Sequence, residues 1–137
     1  MKQNVFLFIL CTFINVLIAN LALIIMATDL SLIYPVLISL GIFLICGAVF
    51  YRIHIHPGIL GKWKLAGTAT GVSLSALLLA CIFTSVGTRM AMDGIIIAGL
   101  KGIIPLFVFA VIFASPFWVV SALFNFICLM FIKPKTN

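Results

Sequence analysis

Only two of the 137 residues are acidic, Asp29 and Asp93, while 66% of the chain is hydrophobic. A soluble surface carries about a quarter charged residues, so this chain cannot make one. Its apolar residues also fall into blocks longer than a soluble core helix needs. A bilayer core about 30 Å thick takes roughly 20 apolar residues per spanning helix. The chain therefore holds four spans with short loops and no room for a soluble domain. The formal net charge is +6, but the basic residues stand singly or in pairs at the ends of apolar runs. That is where head-group anchors and topology signals sit, so nucleic acid is not an expected partner.

The spacing predicts spans at about 5–26, 31–51, 65–86 and 104–132, with an interfacial segment at about 90–102. The first run exceeds the apolar core of about 7–15 residues found in a secretory signal, so it reads as a retained span despite the small-residue stretch Ala19-Asn20-Leu21-Ala22. Pro35 lies near the start of span 2, where it is tolerated. Pro57-Gly58 and Gly61 break the second loop, and residues 87–94 read as a short polar link. From Ile95 to Ile132 the chain is nearly all apolar, and one crossing or two would fit. In the single-crossing reading Pro105 sits in the first turn of span 4, and Pro116 kinks it mid-span. Charge favours four spans. Lys2, Arg52, Lys62, Lys64, Lys133 and Lys135 then share one side, leaving Arg89 and Lys101 with both acids on the other. Loops rich in Lys and Arg stay cytoplasmic, so both termini are expected inside. The expected fold is an all-α membrane protein, a compact bundle of four transmembrane helices.

Helices in lipid pack through small and weakly polar residues. Span 1 offers Thr12, Asn15, Ala19 and Ala22; span 2 offers Ser39, Cys46 and Gly47. Span 3 offers the row Gly67, Gly71, Ser75. Span 4 offers Ala110, Ala114, Ser121, Asn125 and Cys128, and the linking segment offers Gly94, Ala98 and Gly102. The row in span 3 serves either packing within one chain or dimerisation. The intramembrane amides Asn15, Asn20 and Asn125 are either glue between helices or part of a polar path. Trp118, beside Pro116, either plugs the gap that the kink opens or lines a cavity.

No predicted span carries Asp, Glu or His well inside it, which argues against proton-coupled transport and against haem ligation within the bundle. No serine has an acid–base partner in the membrane, so no catalytic residue is assigned. His54 and His56 are the only histidine pair, and Cys11, Cys46 and Cys128 fall at similar depths. These five are weak candidates for a soft metal ion; no metal and no cofactor are expected. There is no Cys-x-x-Cys motif, which separates the chain from disulfide carriers, and no acid in span 1, which separates it from small multidrug transporters.

In size, basic charge and short loops the chain resembles the immunity proteins that protect bacteria from membrane-acting toxins. The likeness is one of gross composition and includes no motif. It implies a helical membrane protein that works by binding another. The expected function is a non-catalytic partner in a membrane complex, as accessory subunit, assembly factor or immunity-type protein. The expected setting is a bacterial inner membrane, with another membrane protein or a second copy as partner. The alternative is a small oligomeric channel or transporter.

Overall fold

The computed structural model describes residues 2–26, 31–55, 61–93 and 96–132, and these are helical apart from short connections. The five helices among them are α1 (Lys2–Met26), α2 (Ile33–Ile55), α3 (Lys62–Asp93), α4 (Ile96–Phe113) and α5 (Ser115–Ile132). Helix is what lipid demands, because every backbone N–H must find a carbonyl within its own segment. Four stretches are long and apolar enough to cross a membrane: Asn4–Ile25, Ile33–Ile53, Lys62–Thr88 and Ser115–Ile132. That is the make-up of an integral membrane protein.

α2 runs antiparallel to α1 and to α3, which are parallel to each other. Phe8 of α1 stacks near Phe50 of α2, and Asn20 reaches Ser39. Tyr34 of α2 meets Phe83 of α3, and Ile53 packs with Leu65. α3 touches each of the other four helices. Its buried residues include Leu65, Ala69, Val72, Ser73, Ala76, Leu77, Ala80, Cys81, Thr84 and Ser85, mostly small residues that let the neighbours approach closely.

Three features differ from the sequence reading. First, α3 does not stop at 86; it runs through Gly87 to Asp93. A lone glycine costs only about 1 kcal/mol in a helix, and the residues that follow contain no proline to end it. Second, the segment expected to lie at the interface is divided between the end of α3 and the start of α4, and α4 packs along α3. Ser85 donates to the Gly99 carbonyl at 2.6 Å, and Ala110 joins Leu77 and Cys81 in one apolar cluster. Third, Pro105 is not in a first turn. It lies inside α4, where it leaves the Lys101 carbonyl without its usual donor.

Moving down α3 from Ser85 to Cys81, Ser73 and Leu65, the partners move steadily along the chain from Gly99 to Ala110, Ser121 and Ile132. α4 and α5 thus point the same way, antiparallel to α3, with an interruption at Ala114 between them. Ala114 spans that break, its N–H donating to Ala110 and its carbonyl accepting from Phe117 and Trp118.

Candidate functional site: an amide clamp and the groove beside it

Asn15 lies near the middle of the Asn4–Ile25 stretch, one turn beyond Cys11 and facing inward. Asn125 lies inward on α5, one turn beyond Ser121. Both amides are 1% exposed, and an amide buried in an apolar medium must find partners. These two find each other. Asn15 Nδ2 donates to Asn125 Oδ1 at 2.7 Å, and Asn125 Nδ2 donates back to Asn15 Oδ1 at 3.0 Å.

The remaining valences are filled by the surroundings. Asn15 Nδ2 also donates to the Cys11 carbonyl at 2.8 Å, and Asn15 Oδ1 accepts from Ser121 Oγ at 2.9 Å. Asn125 Nδ2 also donates to Ser73 Oγ at 2.9 Å, and Asn125 Oδ1 accepts from Cys11 Sγ at 2.9 Å. Ser73 and Ser121 are themselves 3.1 Å apart. An amide has two N–H donors and two oxygen lone pairs, and here all are used. The clamp ties α1, α3 and α5 together at mid-membrane depth.

Asn20 makes a separate link. Its Nδ2 donates to the Val16 carbonyl at 2.9 Å and to Ser39 Oγ at 3.1 Å, joining α1 to α2. Among the described residues its Oδ1 has no partner, and neither does Thr84 Oγ1.

Cys11 and Cys46 line one small cavity beside Asn125. All four thiols are free and buried. Among the described residues no three His, Cys, Asp or Glu are grouped to hold a metal ion. The Cys11 S–H is already spent on Asn125, whereas a metal ligand would be a thiolate with no proton to give. His54 is in the last turn of α2; its side chain, and all of His56, lie outside the described residues. So do Asp29, Pro57, Gly58, Gly94, Lys133 and Lys135, and the side chains of Arg89, Asp93 and Ala98.

The small-residue rows divide. Thr12, Ala19, Cys46, Ala110, Ser121 and Cys128 are buried. Gly102 abuts Ser85, and a Cβ there would stand 2.6 Å from its Oγ. Gly67 and Gly71 instead face outward: both are exposed, and an added Cβ would meet nothing within 4 Å. Ser75 is half-buried. The inward row of α3 is the neighbouring one through Ala69, Ser73, Ala76 and Ala80.

On one side of the clamp the helices part. The backbones of α1 and α4 stand apart among the described residues, and a cavity of about 380 Å³ lies between them, floored by Asn15, Ser73 and Ser121. Ala22, Ala76, Ala110 and Ala114 leave the space open, and Leu21, Ile25, Phe109, Phe113 and Phe117 stand on its outer rim. Trp118 takes the cavity-lining place that the sequence left open to it. Its ring lines the groove, and its Nε1 donates at 2.9 Å to the Val111 carbonyl across the break. Backbone groups freed near a proline in lipid need such a substitute. No family model, curated protein or solved structure matches the chain.

Proposed function

We propose that this protein is a non-catalytic partner in a membrane complex: an accessory subunit, assembly factor or immunity-type protein. The observation that carries the reading is the outward Gly67–Gly71 row of α3, which the chain's own packing leaves free. Small residues four apart let a second helix approach backbone to backbone, the main source of helix association in lipid. The clamp weighs against the channel reading. A polar path must exchange hydrogen bonds with what passes, and the amides of Asn15 and Asn125 have no free valence to exchange.

The proposal includes an orientation, with both termini cytoplasmic in a bacterial inner membrane. Six basic residues against two support it. It also takes Pro116 as the source of a bend at the α4–α5 break, since proline lacks the N–H that the Ile112 carbonyl would accept.

The test is the mass of the native complex, after mild-detergent extraction of tagged protein from its host, for the wild type and for Gly71→Leu. The expected result is a stoichiometric second chain, or a second copy, that Gly71→Leu loses while its unfolding midpoint stays unchanged. A lone chain that conducts solute in liposomes, with flux abolished by Asn15→Leu, would overturn the reading.

A further inference from the structure

We propose that the groove between α1 and α4 binds one acyl chain of a bilayer lipid, drawn from the leaflet at the C-terminal end of α1. The inference goes beyond the partner reading and does not depend on it.

Depth is the first argument. Along α1 the groove runs from Asn15 to Ile25, ten residues and so about 15 Å at 1.5 Å per residue. The apolar stretch containing it is Asn4–Ile25, so the groove reaches from the end of that span to its middle. Half of a hydrocarbon core about 30 Å thick is also about 15 Å, the depth of one leaflet.

Volume is the second. A dry cavity of about 150 Å³ lined by Leu, Ile and Phe takes benzene, with six carbons. At the same density the cavity of about 380 Å³ takes about 15 carbons. A zigzag chain of ~1.5 Å bonds at ~111° rises about 1.25 Å per carbon, so 15 Å of groove accommodates about 12. The two estimates meet in the range of a common fatty acyl chain.

Lining is the third. The rim residues Ile25 and Phe113 are 67% and 68% exposed, so the groove opens sideways toward lipid rather than toward water. Its floor is polar in composition, but Asn15, Ser73 and Ser121 are hydrogen-bonded among themselves and to Asn125. A terminal methyl can rest on them without stranding a donor. Recognition is of the chain and not of the head group. Lys101 is nine residues, two and a half turns, before the groove residue Ala110, and so lies on the opposite face of α4.

Trp118 lines the groove and provides the readout. The full chain carrying Trp63→Phe leaves Trp118 as its one tryptophan. It would be reconstituted in vesicles of diacyl phosphatidylcholine brominated near the chain ends, and tryptophan quenching measured. The expected result is strong quenching that Ala22→Phe at least halves by filling the groove, while Leu44→Phe on the outer face of α2 leaves it unchanged. Native mass spectrometry should find one retained lipid per chain, lost in Ala22→Phe. If Ala22→Phe fails to fold, Leu21→Phe narrows the mouth from an exposed position and should produce the same relief. Quenching that neither folded groove variant changes overturns the proposal. So does an unquenched Trp118 in a dimer whose second copy fills the groove.

Discussion

The Asn15–Asn125 clamp makes a quantitative prediction, because its bonds can be counted between helices. Asn15→Leu removes three inter-helix hydrogen bonds: the two to Asn125 and the one from Ser121. Asn125→Leu removes four: the same two, plus those with Cys11 and Ser73. Hydrogen bonds between membrane helices average about 0.6 kcal/mol and reach about 1.7. The single variants should therefore lose about 2 and about 2.5 kcal/mol. The double variant loses five distinct bonds, about 3 kcal/mol, not the 4 or more that addition would give. The shared pair thus appears as a coupling of about 1 kcal/mol, the excess of the summed singles over the double. There is a second reason for coupling. Each single variant strands part of the other amide in an apolar interior, whereas the double strands only the small hydroxyl and thiol groups. Reversible unfolding in mixed detergent micelles, followed by loss of helical circular dichroism, measures all four corners of the cycle. Strict additivity would refute the clamp, as would a coupling confined to a few tenths of a kcal/mol.

Gly102→Ala should destabilise by about 1–3 kcal/mol, because its Cβ would collide with Ser85 Oγ and displace it from the Gly99 carbonyl. Adding Ser85→Ala should recover part of the loss, and thermal midpoints of the three variants check both statements. Gly41→Ala is the contrast: its Cβ would meet only the flexible tip of Leu79, and stability should stay within about 0.5 kcal/mol. Trp118→Phe keeps the ring but deprives the Val111 carbonyl of its donor, at a cost of about 1–2 kcal/mol by the same unfolding assay. Gly71→Leu should leave that assay within about 0.5 kcal/mol of wild type, since it touches nothing within the chain.

Composition and run length sufficed to recognise four membrane-crossing stretches, because the cost of exposing polar backbone to lipid leaves few alternatives. The inward faces of α1 and α5 were also legible. Each carries one row of polar and small residues, and a mid-membrane amide nearly always turns inward. α3 was not legible in this way. It carries two small rows side by side, Gly67-Gly71-Ser75 and Ala69-Ser73-Ala76-Ala80. Lipid is as apolar as leucine, so no hydrophobic periodicity marks which row points in. The length of α3 was missed because glycine and short polar residues at its end signal a turn in water but need not in a long helix. The groove left no local trace. It exists because alanines on α1, α3 and α4 coincide in space, which only the assembled helices reveal.

The clamp joins residues 110 positions apart in sequence, and that has a consequence for the order in which the molecule is made. α1 enters the membrane first and α5 last. At about 5–20 residues per second, the chain between them takes roughly 5–20 s to synthesise. For that interval Asn15 has the Cys11 carbonyl for one N–H and no Asn125 for the rest of its amide. The first span therefore waits in a provisional state, and the last span acts as the latch that ends it. A nascent chain broken anywhere before α5 carries an unanswered amide at mid-membrane, a mark of incompleteness that the finished protein no longer displays.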